Sequence, residues 1–295
     1  MGNELTVAVL GTGRMGGAMA GTLHRAGYRL VLWNRDRAKA ERLASELGCE
    51  RADTAADAAS RVDVVVSSLA DDEAMRMVYL GEEGVVAGAR PDTVVVDTST
   101  VDPETIVEVG AAVDATGAGF IDCPVSGSVS TVEAGTLTIM AGGDPDLIEK
   151  ARPVLDALST RVVSTGKRGS GAATKLAVNA LVHGLNIALS EALVLAERAG
   201  VERAVAYEVF AGGAGGAPFV LYKREAYQHP ESAVVAFSLD LVAKDLELIT
   251  ALGERVGAPM AQAGTGLDLV RRAIEAGFAD RDLSALAVFL RGDDA

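Results

Sequence analysis

The sequence predicts an α/β protein in which a doubly wound, mostly parallel sheet is followed by an all-α C-terminal domain. Short apolar, β-branched runs alternate with helix-like segments through the first half of the chain, which is typical of parallel strands covered by helices on both faces. Strand-like runs almost disappear after Gly166. A single helical pattern of about thirty residues then predicts a long interdomain helix that joins the two domains.

Strand and helix patterns alternate in order from the N-terminus. The first two strands, with the helix that follows each, are expected at residues 5–10, 15–26, 28–33 and 37–47. Further strands are expected at residues 62–67, 93–97, 120–122 and 137–140. Because these runs are almost continuously apolar, both faces of the sheet are expected to be covered.

The second half is expected to be helical. Gly169-Ser170-Gly171 opens the long helix, which runs to Arg198 and ends before Gly200. Later helices, with one Gly/Ala loop between the first two, are expected at 204–210, 241–256, 260–276 and 283–290, and the loop at 211–217. These patterns predict a sheet-containing domain at residues 1–166 and a helical domain at residues 167–295.

Composition limits the classes of function. The 295 residues include 27 basic and 41 acidic side chains, a formal net charge of −14, so the chain is expected to repel nucleic acid and anionic membranes. Aromatic residues make up only 4%, which argues against a base-stacking surface. Charged and amide side chains interrupt the apolar stretch at 172–196, so no membrane span is expected.

The sequence offers little material for metal or disulfide chemistry. Cys49 and Cys123 are the only cysteines, they lie far apart, and there are three histidines. Neither a metal-ligand spacing nor a disulfide scaffold is evident. We therefore expect no metal cofactor and a reducing, cytoplasmic location.

A glycine-rich motif, Gly11-Thr12-Gly13-Arg14-Met15-Gly16, follows the first strand and opens the first helix. In a βαβ unit this spacing indicates a Rossmann dinucleotide-binding domain. Gly11 would permit the tight turn, Gly13 the approach of a pyrophosphate and Gly16 the packing of helix on strand. The helix N-terminus would offer N–H groups and positive potential to the anion. The alternative is a glycine-rich turn without a ligand.

The end of the second strand favours NADP over NAD. An NAD site usually carries Asp or Glu here to bind the ribose 2′-hydroxyl. This chain has Asn34 and Arg35 instead. The amide does not repel a phosphate, and the guanidinium can bind a 2′-phosphate with help from Arg37. NAD remains an alternative cofactor, and a solvated basic loop with Asp36 as the helix cap is the alternative for the segment.

A polar stripe runs along the long predicted helix. Lys175 and Asn179 are four residues apart, and Asn186 falls on the same face three turns after Lys175, with His183 nearby. The neighbouring positions are mostly apolar, and burial of polar side chains without partners is costly. The stripe is therefore expected to face either solvent or a ligand, and these residues alone leave both open.

Four motifs in order resemble the β-hydroxyacid dehydrogenase family, which includes 3-hydroxyisobutyrate dehydrogenases, tartronate semialdehyde reductases and glyoxylate/succinic semialdehyde reductases. The glycine-rich loop resembles the family's cofactor loop, and residues 122–128 and 135–143 resemble its substrate motif. Residues 169–179 resemble its catalytic motif, and Lys244-Asp245-Leu246 its C-terminal cofactor motif. The resemblance covers essentially the whole chain, and four motifs in order are more specific than one.

The resemblance implies a role for each matching position. Lys175 would be the general acid/base and Asn179 would orient the substrate. The substrate carboxylate would be held by Ser126, Gly127 and Ser128. The implied cofactor-binding residues are Gly11, Thr12, Gly13, Arg14, Met15, Gly16, Asn34, Arg35, Arg37, Leu69, Ala70, Thr100 and Lys244. Family members usually have glycine at Ser128, which leaves the identity of the substrate open, and many have proline at Ala70.

The chemistry agrees with these roles. Oxidation of an alcohol moves a hydride to nicotinamide and needs a base for the hydroxyl proton, and reduction needs the same group as an acid. Burial, or positive potential from the helix start at Gly171, would bring a lysine pKa from about 10.4 towards neutrality. We expect an NADP(H)-preferring oxidoreductase that interconverts a small 3-hydroxy acid and its semialdehyde or keto form. Its expected partners are a small carboxylate or aldehyde and further copies of the chain, in a homodimer or homotetramer.

Two other functions are compatible with the sequence. Imine reductases have a similar architecture and a similar Asn-Arg cofactor loop, but they generally lack lysine at the catalytic position, so Lys175 argues against that activity. A non-catalytic dinucleotide-binding module that acts through protein interactions would not need Lys175 and Asn179 together with the serine–glycine motif.

Overall fold

The computed structural model describes residues 5–292, so the first four and last three residues of the predicted domains lie outside the described part. The chain divides into two compact units between Lys175 and Leu176. The division falls inside the long helix, whereas the sequence pattern placed the domain limit before its start. The limits at 1–166 and 167–295 stay predictions.

Within the described residues, the first unit contains a nine-stranded sheet. Its strands are β1 (Thr6–Leu10), β2 (Arg29–Trp33), β3 (Glu50–Arg51), β4 (Val64–Ser67), β5 (Val94–Asp97), β6 (Gly119–Asp122), β7 (Val125–Ser126), β8 (Leu137–Gly142) and β9 (Ser159–Gly166). The order is β3-β2-β1-β4-β5-β6-β8-β7, and β9 pairs with β8. The first six in this order are parallel, and β8 is antiparallel to β6 and β7. Chain order reverses at β1 and β4, the kind of switch point where such sheets bind ligands.

Helices connect the strands. They are α1 (Arg14–Arg25), α2 (Arg37–Leu47), α3 (Ala55–Ser60), α4 (Asp72–Leu80), α5 (Val85–Gly88), α6 (Pro103–Asp114), α7 (Val129–Glu133) and α8 (Pro145–Leu158). Val7 and Val9 belong to one buried cluster, and Ala8 and Leu10 belong to another. Successive residues of β1 thus enter cores on opposite faces. The doubly wound, mostly parallel sheet is therefore confirmed.

Strand β9 has no counterpart among the predicted strands. Its sequence lacks a continuous apolar run, and only Ser159 of its eight residues is buried. It is held along β8, with Arg161 opposite Thr138 and Val162 opposite Ile139. A strand that relies mainly on backbone pairing leaves little hydrophobic signal in the sequence.

The second unit is helical, as predicted. Including the helix in which the units divide, its helices are α9 (Ser170–Arg198), α10 (Arg203–Gly212), α11 (Pro218–Tyr222), α12 (Arg224–Gln228), α13 (Leu239–Val256), α14 (Ala261–Ala273) and α15 (Leu286–Arg291). A π-helical turn at Ile274–Phe278 and a 3-10 turn at Leu283–Ala285 join the last elements. Helix α10 extends to Gly212, so the Gly/Ala loop begins later than expected.

Helix α9 is long and apolar enough, by length and composition, to cross a membrane, with a mean hydropathy of 1.5 over its most apolar 18 residues. Core helices of globular domains can have the same length and composition. Four buried polar side chains of α9 hydrogen-bond to α12 or α13 of the second unit or to its own backbone: Asn179, His183, Asn186 and Ser190. These bonds support the role of a core helix, and the absence of a membrane span stays a prediction.

Candidate functional site

The glycine-rich motif forms the turn between β1 and α1. Gly11 has a φ of +88°, in the left-handed region that favours glycine. A Cβ atom on Gly11 would overlap the carbonyl oxygen of Ser68, and one on Gly16 would overlap the carbonyl oxygen of Gly11. No heavy atom of the described residues lies within 4 Å of the Cβ position at Gly13. Backbone contacts therefore require two of the glycines, and Gly13 leaves the first turn of α1 open to a ligand.

Asn34 connects the glycine-rich turn to the loop after β2. Its Oδ1 accepts a hydrogen bond from the Thr12 N–H at 3.0 Å, and its Nδ2 donates to the Asp36 carbonyl oxygen at 3.0 Å. Asp36 caps α2 by accepting from the Ala38 N–H. Asn34 thus holds two loops of the predicted cofactor site together, in addition to the ribose contact predicted for it.

The two arginines predicted to select NADP have different surroundings. Arg35 is exposed and forms no ion pair within residues 5–292. Arg37 is also exposed, and its guanidinium lies 3.5 Å from the Asp53 carboxylate, which also pairs with Arg51 at 2.7 Å. Exposed ion pairs of this kind contribute little free energy, so the contact with Asp53 does not prevent Arg37 from binding an anion.

Two further cations lie near the glycine-rich turn. Lys39 and Arg42 of α2 line a cavity of about 200 Å³ together with Thr12, whose buried Oγ1 has no hydrogen-bond partner in the described part of the chain. In the same turn Arg14 is exposed and Met15 is half-buried. The sequence pattern did not single out Lys39 and Arg42, although their three-residue spacing puts them on one face of a helix.

The other predicted cofactor residues of the first unit follow β4 and β5. The Leu69 N–H donates to Ser99 Oγ at 2.9 Å, which joins the two loops directly. Leu69 and Thr100 are half-buried, and Ala70 is exposed. Because β2, β1, β4 and β5 are parallel neighbours, the loops after them lie along one edge of the sheet. The structure therefore brings the predicted cofactor residues of this unit together.

The predicted substrate loop runs from β7 into α7. Gly127 has a φ of +149°, and a Cβ atom there would overlap Thr131 Oγ1. The Ser128 N–H donates to Thr131 Oγ1 at 2.7 Å, and Ser128 Oγ lies 2.8 Å from Ser130 Oγ. Ser126 and Ser128 are half-buried, and Gly127 is exposed. Ser128 is thus the N-cap residue of α7; glycine would keep its backbone contact with Thr131 and lose the hydroxyl contact with Ser130.

The Asp122 carboxylate anchors the start of α9. It accepts hydrogen bonds from the Gly169 N–H at 2.8 Å and the Ala172 N–H at 2.9 Å. A Cβ atom on Gly171 would lie 2.7 Å from Asp122 Oδ2 and 2.5 Å from the Met140 carbonyl oxygen, so this close approach requires glycine. Burial raises the pKa of Asp122, and hydrogen bonds from the α9 backbone oppose the rise. The positive end of α9, expected to act on the lysine, is therefore already bound to a carboxylate.

Lys175 is half-buried in the first turns of α9, close after the residues that Asp122 anchors. Asp122 is opposite Asp97 in the parallel pairing of β6 with β5. Helix α9 therefore begins at the same edge of the sheet as the predicted cofactor loops. A helix with an anchored first turn is a rigid support for a side chain that must be positioned accurately.

In the second unit, Asp245 of α13 binds the polar residues of α9. Asn179 Nδ2 donates to Asp245 Oδ2 at 2.6 Å, and His183 Nε2 lies 3.3 Å from the same oxygen. Lys244 Nζ lies 3.1 Å from Asp245 Oδ1. Asn179, His183 and Asp245 are all buried. Asp245 was not among the predicted site residues, although it stands beside Lys244 in a motif that resembles the family.

Asn186 and Ser190 are also bound within the second unit. Asn186 Oδ1 accepts from the Tyr227 hydroxyl at 2.6 Å, and Ser190 Oγ lies 3.3 Å from that hydroxyl. From Asn179 to Ser190 these polar side chains are therefore bound to neighbouring helices or to the α9 backbone, and a ligand contact of Lys175 and Asn179 stays a prediction. Partners on other helices remove much of the cost of burying these groups.

Metal-binding side chains are not grouped in the part of the chain that the structure describes. Within residues 5–292 no cluster of three or more His, Cys, Asp or Glu side chains could hold a metal ion. Cys49 and Cys123 are both free thiols, and Cys123 is buried.

Comparisons with known proteins match both units. The family profile for the NAD-binding domain of 6-phosphogluconate dehydrogenase matches residues 6–166, and the profile for the NAD-binding of NADP-dependent 3-hydroxyisobutyrate dehydrogenase matches residues 169–290. Each of the two profiles covers most of one unit.

Similar proteins are matched along most of their length. An NAD-dependent L-serine dehydrogenase of Pseudomonas aeruginosa is 32% identical over 289 residues, which cover 95% of this chain and 96% of that protein. The chloroplastic glyoxylate/succinic semialdehyde reductase 2 of Arabidopsis thaliana is 32% identical, with 97% of this chain and 80% of that protein covered. The solved structure of Mycobacterium tuberculosis 3-hydroxyisobutyrate dehydrogenase with L-serine is 31% identical, with a TM-score of 0.85 and coverage of 97% and 99%.

Proposed function

The chain belongs to the β-hydroxyacid dehydrogenase family, and we propose that it is an NADP(H)-preferring oxidoreductase that interconverts a small 3-hydroxy acid and its semialdehyde or keto form. One observation carries the proposal: the loops after β1, β2, β4 and β5 and the anchored start of α9, with Lys175, meet at one edge of the sheet. This edge is where doubly wound sheets bind dinucleotides.

The preference for NADP is supported by the cations near the glycine-rich turn. Arg35, Lys39 and Arg42 form no ion pair within residues 5–292, and the buried Thr12 Oγ1 has no hydrogen-bond partner in the same range. A 2′-phosphate would supply the negative charge and the acceptors that these groups can bind. The matching C-terminal profile is named for an NADP-dependent enzyme and one similar protein for an NAD-dependent enzyme, so the proposed preference rests on this chain's own residues.

Residues of this chain bind and orient the substrate and transfer a proton. When bound, the cofactor accepts or supplies the hydride at its nicotinamide ring. Lys175 takes the proton of the substrate hydroxyl in oxidation and returns it in reduction. Ser126, Gly127 and Ser128 hold the substrate carboxylate through the two serine hydroxyls and the Gly127 N–H, because the Ser128 N–H is bound to Thr131 Oγ1.

Asn179 orients the substrate, and Asp245 fixes the orientation of Asn179. The Asn179 Nδ2 group is bound to Asp245, which leaves Oδ1 of Asn179 as the acceptor for a substrate hydroxyl. Lys244 is proposed to contact the cofactor, and its ion pair with Asp245 restricts its orientation. Both contacts restrict the orientation of a side chain in the proposed active site, where small errors in geometry lower the reaction rate.

We also propose a homodimer or homotetramer in a reducing cytoplasm. Leu181 and Leu195 of α9 and Val205 and Val209 of α10 are apolar and each more than half exposed, which is typical of surfaces that another subunit covers. The two free thiols support the reducing location. Light scattering of the purified protein measures the assembly, and a monomeric mass at micromolar concentration would contradict it.

A substrate panel with both cofactors tests the function. Purified protein is assayed for oxidation of L-serine and 3-hydroxyisobutyrate, and for reduction of glyoxylate and succinic semialdehyde, substrates suggested by the relatives' names. We expect turnover of at least one substrate, with a higher kcat/KM for the phosphorylated nucleotide. Turnover with NAD(H) alone would contradict the cofactor preference, and turnover of none would contradict the proposed substrate class.

A further inference from the structure

A buried carboxylate lies beneath the loops that follow β4 and β5. Asp97, the last residue of β5, is fully buried. Its Oδ2 accepts hydrogen bonds from Ser67 Oγ at 2.5 Å and Ser99 Oγ at 3.0 Å, and its Oδ1 accepts from the Ser99 N–H at 2.9 Å. The Tyr79 hydroxyl of α4 lies 2.6 Å from Ser67 Oγ. The mechanism proposed above uses none of these side chains.

The hydrogen bonds continue from Asp97 to the backbone of the predicted cofactor site. Ser99 Oγ donates to Asp97 and accepts from the Leu69 N–H at 2.9 Å. The sequence of contacts Leu69–Ser99–Asp97 therefore ties the loop after β4 to the loop after β5. Three donors of Ser67 and Ser99 reach Asp97, and the Tyr79 hydroxyl lies 3.5 Å from its Oδ2. A proton on Oδ2 would force one of the hydroxyl groups around it to turn away.

We propose that Asp97 is a positioning residue of the dinucleotide site, and that its ionised form holds Leu69 and Thr100 where they bind the cofactor. This inference rests on the proposed dinucleotide site and adds a group that controls it. Asp97 acts through Ser99 and Ser67, because it is enclosed beneath the loops and reaches a ligand only through them.

The surroundings of Asp97 oppose its ionised form. Burial raises the pKa of Asp97 to about 6. Hydrogen bonds from the two serines lower this pKa, and the negative charge of Asp122 raises it further. Tyr79 and Cys123 also face this carboxyl, and burial raises the pKa of both well above their usual range, so both stay neutral. Acidification through about pH 6 therefore protonates Asp97 and loosens the link between the two loops.

Ionised Asp97 is expected to favour cofactor binding and to oppose folding. The pH dependence of cofactor binding therefore distinguishes a positioning role of Asp97 from a purely structural one. The pKa of Asp97 is about 6 in the folded chain and about 3.9 in an unfolded one. Its contribution to stability is therefore fully present at low pH and is lost as pH rises through about 6. Asp97→Asn removes this pH-dependent loss but turns an NH₂ donor towards the serine donors, so its thermal midpoint serves only to show that it is folded, and the pH profile of NADH binding decides.

The test is the Kd of NADPH and of NADH, measured without substrate by nucleotide fluorescence from about pH 5 to pH 8. We expect the wild-type Kd for both nucleotides to rise as pH falls through the midpoint, towards a plateau about tenfold higher. NADH is included because the 2′-phosphate of NADPH itself titrates near pH 6. Asp97→Asn should bind about tenfold more weakly at neutral pH, and its NADH affinity should no longer depend on pH.

Two other variants make the test specific. Asp144→Asn is the matched control, because Asp144 is an exposed N-cap of α8 and asparagine caps equally well; its binding should match the wild type. Ser67→Ala retains the Leu69–Ser99–Asp97 contacts but removes the hydrogen bond from Ser67 Oγ, which favours the ionised form of Asp97. The midpoint of the pH dependence should therefore move to higher pH.

The outcomes separate this proposal from the proposed function. Wild-type NADH binding that is independent of pH overturns it, as does an unchanged Kd in Asp97→Asn. If Asp97→Asn does not fold, Ser67→Ala decides, and a midpoint that does not move overturns the proposal. Because binding is measured without substrate, failure to turn over any hydroxy acid leaves these results unaffected.

Discussion

Removal of the Asp122 carboxylate should destabilise the chain where α9 begins. Two N–H groups, those of Gly169 and Ala172, donate to Asp122 in buried positions, and Asp122→Ala leaves both without an acceptor. Each unsatisfied buried donor costs about 1–3 kcal/mol. Loss of the buried charge returns part of this cost, because burial raises the pKa of Asp122. We expect a net loss of about 2–4 kcal/mol, a large part of a typical stability of about 5–15 kcal/mol.

Urea unfolding followed by circular dichroism measures this loss, with Asp114→Ala as the control. Asp114 pairs with Arg168 at 2.8 Å but is about half exposed, so its removal should cost less than about 1 kcal/mol. Asp122→Asn keeps one acceptor and should lose about half as much as Asp122→Ala. Equal urea midpoints for Asp122→Ala and Asp114→Ala would refute the anchoring role.

The pH dependence of urea unfolding provides a second test of the role of Asp122. The pKa of Asp122 is higher in the folded chain than in the unfolded one. Its contribution to stability is therefore fully present below the unfolded value of about 3.9 and is lost as pH rises through the folded value. Asp122→Asn cannot titrate, so the margin by which the wild type is more stable than this variant should widen as pH falls through the folded pKa of Asp122.

Two further substitutions test the cofactor and substrate assignments. Arg35→Ala should raise the KM for NADPH by about one to two decades and change NADH kinetics little, because a charge-assisted phosphate contact is worth roughly 1.5–3 kcal/mol. Steady-state kinetics with both nucleotides measure this effect, and a wild-type preference for NADH would contradict the prediction. Ser128→Gly should change the ranking of substrates by kcat/KM while nucleotide Kd stays constant, since Ser128 lies in the predicted carboxylate loop. An equal change for every substrate would argue against selection by this side chain.

The sheet and its glycine-rich turn were predictable because their signals are local. A strand buried on both faces needs a continuous apolar run, and residues 5–10 provide one directly before Gly11. The two glycines at Gly11 and Gly16 are required by contacts with their own turn and with Ser68. Strand β9 gave no such signal, because it is mostly exposed and pairs through its backbone.

The environment of the polar stripe on α9 could not be read from spacing. Periodicity puts Asn179 and Asn186 on one helical face, but their partners, Asp245 and Tyr227, are 66 and 41 residues away in sequence. A pattern of one helix does not say which other helix packs against it. The same limit applies to Asp122, whose role is set by its contact with a helix start 47 residues further along the chain.

The central claim is that Lys175 moves the substrate proton, and the most direct test is kcat together with NADPH Kd for Lys175→Ala. The variant should bind NADPH with near wild-type affinity, because the glycine-rich turn that binds the cofactor is unchanged. Its kcat should fall by about 10²–10⁴-fold, the usual contribution of a positioned acid/base, and Lys175→Arg should not restore it, because a guanidinium stays protonated. A kcat of a tenth or more of wild type, with chemistry rate-limiting, would contradict the claim.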